Sequence, residues 1–236
     1  MSEPHSLDRP VVITPSSWRD RALAGLHRAL LRARNKPVFS PRWSIRFQRA
    51  WLEALARTTA PVPRSVAVST GEAGGVPGEW FRPRSDEAPA GTVLYLHGGA
   101  YCIGSAATHR ALTGRLARPS GLPVFSATYR LAPEHPHPAA LQDALAAFRA
   151  LAANGPVVIG GDSAGGGLAL ATALALRDAG GPQPAALLLL SPWADQVIPD
   201  PLPPPVPGEA MLSPAWAGAC SAHYRGATPA DDPAIS

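Results

Sequence analysis

Lysine, cysteine and long apolar runs are all scarce in this chain, and each scarcity excludes a class of protein. The two cysteines, Cys102 and Cys220, are too few for a disulfide framework or a cysteine-based metal site. The longest apolar stretch, residues 185–190, is far too short to cross a membrane. Charged residues such as Glu3 and Asp8 stand where a signal peptide would need an apolar core. We therefore expect a cytoplasmic protein without stable membrane association.

Positive charge comes almost entirely from arginine, since Lys36 is the only lysine. A formal net charge of +4 and a pI near 9.6 are compatible with a nucleic-acid partner. The arginines are dispersed, however, and no basic motif with interleaved aromatic residues is present, so nucleic-acid binding is not expected. A hydrophobic content of 46% and a length of 236 residues instead favour one globular α/β domain.

Strand patterns alternate with helical patterns along most of the chain. This order predicts an α/β fold with a mostly parallel sheet and helices on both faces. Strands are predicted at residues 64–70, 78–82, 92–96, 122–128, 157–160 and 185–190, the first two paired across a turn. Helices are predicted at residues 17–34, 41–58, 108–118, 138–153, 166–176 and 213–224. We expect Pro119 to end the third helix and Pro138 to be the first helical residue of the fourth.

The two N-terminal helices are amphipathic and precede the sheet-forming part of the chain. They define a unit at residues 1–60, followed by a core at residues 61–236. Ser16 or Ser17 is expected to cap the first helix. Helices of this kind usually pack on the body of a protein, but a helix lying on a membrane surface has the same pattern. A proline-rich stretch, residues 199–207, predicts a stiff loop. The apolar stripe of the first helix consists of Trp18, Leu23, Leu26, Leu30 and Leu31.

The sequence Gly161-Asp162-Ser163-Ala164-Gly165 lies between a short apolar strand and a helix-forming run. Strand, tight turn and helix form the setting of a nucleophile elbow, in which the turn projects a serine hydroxyl above the sheet. Small neighbours leave room for that turn, which explains the glycines. A glycine-rich turn with an ordinary helix-capping serine fits the same residues. A phosphate-binding loop does not, because no Lys-Ser or Lys-Thr follows the glycines.

A second motif, His97-Gly98-Gly99, follows a predicted strand. Acyl transfer needs backbone N–H groups fixed around the negatively charged oxygen of a tetrahedral intermediate. Consecutive glycines let the backbone approach such an oxygen closely. We expect the N–H groups of Gly98, Gly99 and Ala164 to form this oxyanion hole, with His97 shaping the loop. Together the two motifs predict Ser163 as the nucleophile of an acyl-transfer enzyme.

Between these motifs the chain reads Tyr129-Arg130-Leu131-Ala132-Pro133-Glu134-His135-Pro136, and Ser191-Pro192-Trp193 follows a later apolar strand. In this order the motifs resemble those of the bacterial hormone-sensitive-lipase-like carboxylesterases of the α/β-hydrolase superfamily, over roughly residues 66–236. The resemblance implies a serine hydrolase that cleaves small carboxylic esters, with short acyl chains expected and no cofactor or metal. It also implies that residues 1–60 form a cap over the acyl pocket. Amidase or peptidase chemistry uses the same elbow and stays open.

The resemblance further implies an aspartate and a histidine that follow the serine and activate it. His223 is the only histidine after Ser163 and falls in a predicted helix, so we do not expect it to be the base. The family places its pair after two more strand–helix units. We therefore expect this chain to be C-terminally incomplete and to lack both residues, and an inactive remnant of the fold is the alternative. The aspartates after Ser163 are expected to be loop residues: Asp195, Asp200, Asp231 and Asp232.

Three further expectations concern local contacts. Asp162 belongs to the elbow motif and is not expected to orient a base. Glu134 is expected to pair with Arg130 or to cap the following helix. The strand at residues 185–190 is expected to lie at an exposed, almost purely aliphatic edge of the sheet, which favours self-association.

Overall fold

A computed structural model describes residues 17–58, 61–85, 87–204 and 209–236, and the strands in these ranges form one sheet. The strands are β1 (Val66–Ala73), β2 (Val76–Pro83), β3 (Thr92–Leu96), β4 (Val124–Ala127), β5 (Val157–Asp162) and β6 (Ala186–Leu190). β1 and β2 pair antiparallel as the predicted hairpin, and β2 is also antiparallel to β4. The pairs β4-β3, β3-β5 and β5-β6 are parallel, so the predicted α/β class with a largely parallel sheet is confirmed. The order across the sheet is β1-β2-β4-β3-β5-β6.

Helices cover both faces of this sheet, as predicted. Alternate residues of β3 face opposite sides and separate two parts of the hydrophobic core. Leu94 and Leu96 pack in the part that contains side chains of α4 and α5. Val93 and Tyr95 pack in the part that contains Ala117 of α3. The helices are α1 (Trp18–Arg34), α2 (Ile45–Ala56), α3 (Arg110–Ser120), α4 (Ala139–Ala152), α5 (Ala164–Asp178) and α6 (Pro214–Arg225), and a short 3₁₀ helix spans Ala107–His109.

Two prolines do not have the roles predicted for them. Pro119 does not end α3 but lies in its last turn, where it has no N–H to donate to the carbonyl four residues earlier. Gly121 ends the helix instead, in the left-handed conformation with φ of 68°, and its N–H donates to Ala117 O at 3.2 Å. Pro138 is the residue before α4 rather than its first helical residue, and its carbonyl accepts the N–H of Gln142 at 2.9 Å.

The N-terminal helices differ from each other in how they pack. Ser17 caps α1 as expected, accepting the N–H of Asp20 at 3.1 Å. The apolar stripe of α1 does not pack on the body within the described ranges, since Trp18 is 68% exposed and Leu26 is 58% exposed. α2 begins later than predicted because Ser44 caps it. Residues 1–16 and 59–60 of the predicted N-terminal unit, and residues 205–207 of the predicted proline loop, lie outside the described residues.

Two strand pairings place the candidate site at the carboxyl ends of the central strands. The carboxyl ends of β3 and β5 are adjacent, with Leu96 paired with Gly161. The next strand, β6, pairs Leu190 with Asp162. Loops that follow the carboxyl ends of parallel strands meet in space, so the two glycine motifs are brought together here.

In the described part of the chain no helix has the length and apolarity needed to cross a membrane. Cys102 and Cys220 are both buried and free.

Candidate active site

Ser163 occupies a strained turn between β5 and α5. Its φ of 50° and ψ of −120° are unusual for a residue with a side chain. Two backbone hydrogen bonds hold the turn: Ser163 N–H donates to Leu190 O at 3.0 Å, and Trp193 N–H donates to Ser163 O at 2.8 Å. Strain of this kind costs about 1–3 kcal/mol and persists where the surroundings enforce it, as they do at functional sites. The serine therefore has the backbone conformation of a nucleophile elbow.

The glycines of the elbow allow two backbones to touch. A Cβ on Gly165 would collide with the carbonyl oxygen of Leu96, at the end of β3. A Cβ on Gly161 would collide with the carbonyl oxygen of Gly165, across the turn. The first turn of α5 consequently lies directly against the start of the loop that carries the second glycine motif. This contact sets the distance between the serine and that loop.

The loop predicted to bind the oxyanion, residues 98–103 and called the oxyanion loop below, turns sharply after β3. Gly99 has a φ of 128°, which favours glycine, and Ala100 and Tyr101 follow with positive φ values of 52° and 59°. The N–H groups of Cys102 and Ile103 both donate to Gly99 O, at 3.0 and 2.9 Å. The N–H groups of Gly99, Ala100 and Ala164 have no hydrogen-bond acceptor among the described residues. They are therefore available to a ligand.

Gly98 differs from its neighbours, because its N–H is already used. It donates to Asp162 Oδ1 at 3.0 Å. The Tyr95 hydroxyl donates to the same oxygen at 2.8 Å, and His109 Nε2 lies 3.5 Å from it. The predicted role of Gly98 as an oxyanion donor therefore needs correction, since this N–H holds the loop to the elbow instead. Sequence alone does not reveal which of several consecutive amides is occupied in this way.

The Asp162 carboxyl is kept ionised by these neighbours. Burial alone would raise its pKa, but His109, the Tyr95 hydroxyl and the Gly98 N–H outweigh burial and lower the pKa below its ordinary value. Burial and the adjacent Asp162 raise the pKa of Tyr95, so its phenol stays protonated and donates. Asp162 was predicted to orient no base, yet it faces a histidine. Neither Tyr95 nor His109 carries a motif signal in the sequence, so both were missed there.

His97 is completely buried beneath the oxyanion loop. Its Nδ1 lies 2.8 Å from Gly98 O, and its ring stacks on Tyr129 with centroids 4.4 Å apart. The Tyr129 hydroxyl donates to His97 O at 2.6 Å. Burial, followed by repulsion from His109, lowers the pKa of His97 to about 3, so the ring is neutral. These contacts are those of a residue that supports the loop rather than one that titrates during a reaction.

A cavity of about 500 Å³ opens above Ser163. The oxyanion loop, Asp162 and His109 line its floor. Its apolar wall comes from both ends of the chain: Phe39, Leu52, Met211, Leu212 and Trp216. Phe39 stacks on Trp216 at 5.1 Å, and Gln48 Oε1 accepts the Trp216 indole N–H at 2.8 Å, which fixes this wall. The segment after α1, α2 and α6 therefore enclose the serine from above.

The Ser163 hydroxyl has no hydrogen-bond partner among the described residues. His223 lines a separate groove beside Trp43 and Gln48 and not the cavity that contains Ser163. Two of the later aspartates form local turns, as expected of loop residues: Asp195 accepts the N–H of Val197, and Asp232 accepts the N–H of Ala234. The part of the chain that the structure describes thus places a serine and backbone N–H groups without an acceptor along one cavity, with no residue bonded to the serine hydroxyl.

Glu134 does not contact Arg130, contrary to the prediction. Arg130 pairs with Asp143 of α4 instead, through Nη2 and Oδ1 at 2.7 Å. Glu134 pairs with Arg49 of α2, and this hydrogen bond is the main cause that lowers the pKa of Glu134. The partner was missed because 85 residues separate the two positions and no local pattern links them.

Comparisons with known proteins agree with this geometry. A family model described as alpha/beta hydrolase fold matches residues 93–236. An acetyl-hydrolase of Streptomyces hygroscopicus is 50% identical over 121 residues, which are 50% of this chain and 40% of that protein. The putative acetyl-hydrolase LipR of Mycobacterium tuberculosis is 36% identical over 213 residues, which are 89% of this chain and 68% of that protein.

Solved structures give the same result. The crystal structure of an esterase from the bacterial hormone-sensitive lipase family superimposes with a TM-score of 0.79 at 33% sequence identity, covering 90% of this chain and 71% of that chain. This chain therefore spans between two fifths and about seven tenths of the lengths of these three proteins.

Proposed function

This chain belongs to the α/β-hydrolase family, among the bacterial hormone-sensitive-lipase-like carboxylesterases, and from that membership we propose that it hydrolyses carboxylic esters with Ser163 as nucleophile. The observation that carries the proposal is the positive φ of 50° at Ser163, at a strand-to-helix junction that opens into a cavity. An ordinary helix-capping serine has extended backbone angles, as Ser17, Ser44 and Ser213 do here. Ser163 does not, and its side chain caps nothing.

The reaction has two halves. Ser163 Oγ attacks the ester carbonyl carbon, a base accepts the serine proton, and a tetrahedral intermediate with a negatively charged oxygen forms. The carbon–oxygen bond to the alcohol then breaks, the alcohol takes the proton from the base, and an acyl-serine is left. Water attacks that acyl group in the same way, which releases the carboxylic acid and restores the Ser163 hydroxyl. Both intermediates carry the charge on the former carbonyl oxygen.

We assign the oxyanion hole to the N–H groups of Gly99, Ala100 and Ala164. All three are without an acceptor in the described ranges, whereas the Gly98 N–H is bound to Asp162. The turn at Ala100, with φ of 52°, directs successive amides to one side of the loop. Removing one such donor typically costs a factor of about 10²–10³ in turnover.

A serine hydroxyl is a weak nucleophile until a base accepts its proton. The family resemblance implies an aspartate–histidine pair for this task, and none of the described residues bonds to Ser163 Oγ. We propose that such a pair completes the site and is not among the described residues. The oxyanion hole and the cavity are the parts of the machinery that this chain's described residues supply.

Short acyl esters are the proposed substrates. Two relatives carry the name acetyl-hydrolase, which supports a small acyl group. The apolar wall around Phe39, Leu52 and Trp216 suits the hydrocarbon part of an ester, and the floor of the cavity is polar. An ester carbonyl lying over Ser163 would then present its oxygen to the amides and its apolar part to the wall.

The test combines an activated-ester assay with covalent labelling. Hydrolysis of p-nitrophenyl acetate, butyrate and octanoate is measured for the wild type, Ser163→Ala and the surface variant Ser69→Ala. A fluorophosphonate probe followed by peptide mass spectrometry identifies the labelled residue. We expect labelling at Ser163 and a preference for the two shorter esters, lost in Ser163→Ala and kept in Ser69→Ala. Rates and labelling that are the same in wild type and Ser163→Ala would overturn the proposal for this chain.

A further inference from the structure

A group of polar side chains lies behind the oxyanion loop, and the proposed reaction uses none of them directly. Asp162 Oδ1 is its centre, with the Tyr95 hydroxyl at 2.8 Å, the Gly98 N–H at 3.0 Å and His109 Nε2 at 3.5 Å. Tyr95 comes from β3 and Gly98 from the loop that follows it. His109 comes from the 3₁₀ helix before α3 and lines the cavity with Ser163.

The two ring nitrogens of His109 face different groups. Nδ1 lies 3.2 Å from the carbonyl oxygen of Ser105 and 2.9 Å from Thr108 Oγ1. Nε2 lies 3.5 Å from Asp162 Oδ1, and a carboxylate oxygen can only accept. Nε2 therefore carries a hydrogen that points toward the Asp162 carboxylate.

This arrangement excludes His109 as the base for Ser163, because both ring nitrogens are occupied by other groups. Two charged residues near His109 have other partners within the described ranges. Arg110, the next residue, is bound to Glu79 through Nε and Oε2 at 2.7 Å. Glu53 accepts the Ser105 hydroxyl. His97, whose ring centroid is 5.5 Å from that of His109, is neutral.

We propose that His109 is a positioning residue for the oxyanion hole, acting through Asp162 on the Gly98 amide. The Nε2–H of His109 holds the carboxylate in the orientation in which Oδ1 accepts the Gly98 N–H. Gly98 fits tightly there, since a Cβ on it would collide with Asp162 Oδ2. With Gly98 fixed, the next two amides, those of Gly99 and Ala100, are presented to the cavity. The inference rests on the proposed function, because it assigns these amides to the oxyanion.

The decisive variants are His109→Phe and His109→Gln. Phenylalanine keeps a ring but cannot donate to Asp162, whereas the Gln amide nitrogen can take the place of Nε2. His135→Phe changes an exposed histidine and is the matched control. Amide hydrogen exchange of Gly98, measured by NMR, reports the loop directly and does not depend on turnover. We expect Gly98 exchange to become about 10-fold faster or more in His109→Phe and to stay near wild type in His109→Gln and His135→Phe.

The same proteins are then treated with the fluorophosphonate probe. We expect the labelling rate at Ser163 to fall about 10-fold in His109→Phe and to recover in His109→Gln. A general loss of packing would slow both variants alike. Gly98 protection that is unchanged in His109→Phe would overturn the inference. If wild-type Ser163 is not labelled at all, the proposed function fails, while the Gly98 measurement still decides whether His109 anchors the loop.

A measurement on the wild type covers the case in which His109→Phe does not fold. Nitrogen-15 spectra of the histidine rings distinguish an Nε2 that bears a hydrogen from one that does not. We expect a protonated Nε2 on His109 at neutral pH, with a direct coupling to the Asp162 carboxylate. A bare Nε2 would overturn the inference, because such a nitrogen repels the carboxylate it is proposed to hold.

Discussion

Arg49 and Glu134 form a two-bond ion pair that ties α2 to the loop before α4, with Nη1–Oε1 and Nη2–Oε2 distances of 3.0 and 2.7 Å. The same guanidinium donates to two backbone carbonyls. Nε reaches Cys102 O at 2.7 Å, in the oxyanion loop, and Nη2 reaches Ala132 O at 2.7 Å. One side chain therefore connects a helix above the cavity with the loop below it. The planar guanidinium of arginine offers several N–H donors in a fixed geometry, which a lysine ammonium group does not.

Replacing Arg49 by Met should destabilise the protein by about 1–3 kcal/mol, because two backbone carbonyls lose a charged donor. Glu134→Gln should cost at most about 1 kcal/mol, since the Glu134 side chain is 53% exposed and solvent screens its charge. Urea unfolding of both variants measures the difference. Equal losses in the two variants would mean that the ion pair, and not the carbonyl contacts, holds α2 in place.

Acid should destabilise the fold through His97. Burial lowers the pKa of this histidine from its ordinary 6.5 to about 3 in the folded protein. The unfolded chain therefore binds a proton at pH values where the folded protein does not. The stability that this group contributes is present above pH 6.5 and is lost as pH falls toward 3. The expected slope is up to about 1.4 kcal/mol per pH unit.

His97→Phe removes the titrating group and keeps an aromatic ring against Tyr129. The difference in unfolding free energy between wild type and variant, followed from pH 7 to about pH 4 by denaturant titration, isolates the histidine from the other acids and bases. We expect that difference to shrink steadily as the pH falls. A difference that is constant over this range would contradict the burial of a neutral His97.

Gly165→Ala should be severely destabilising. Its methyl group would meet the carbonyl oxygen of Leu96, and neither backbone can move without displacing β3 or α5. A loss of about 3 kcal/mol or more is expected, at the upper end for overpacking. Gly25→Ala is the matched control, because Gly25 lies in α1 with nothing within 4 Å of its added methyl group. That change should be neutral or stabilise by up to about 1 kcal/mol through helix propensity. Thermal unfolding of both variants gives the comparison.

The elements around the site were predictable because their signals are local. The apolar run before Ser163 and the glycines after it specify a strand and a tight turn within a few residues of each other. The Gly98 amide was assigned wrongly because its acceptor is 64 residues away and depends on the register of β3 against β5. The partner of Glu134 was missed for the same reason.

The apolar stripe of α1 was predictable from the sequence, but its surroundings were not. Its period was read correctly and the helix is present, but periodicity states which residues share a face and not what that face contacts. The sequence did not point to Ala100, now a proposed oxyanion donor, because alanine rarely adopts a positive φ and nothing in its identity indicates the turn it occupies. Local chemistry thus suggested Ser163 as the nucleophile, and the tertiary structure shows which amides near it have no acceptor in the described ranges.

The outer strand β6 leads to a last prediction, that this chain self-associates. β6 pairs with β5 on one side, and no strand in the described ranges pairs with its other side. Its residues are alanine and leucine, with Leu187 and Leu190 37% and 38% exposed. An unpaired aliphatic edge offers backbone donors and acceptors to another chain, and no charge or proline on β6 blocks that pairing.

Sedimentation velocity over a range of concentrations measures this association, and Leu187→Lys should shift the protein toward monomer by placing a charge on the edge. Leu174→Lys is the control, because Leu174 is 40% exposed but lies on α5, away from the edge. If the edge mediates association, only the first variant changes the distribution. A wild type that sediments as a single monomer at all concentrations, or two variants that behave alike, would show that β6 does not recruit a second chain.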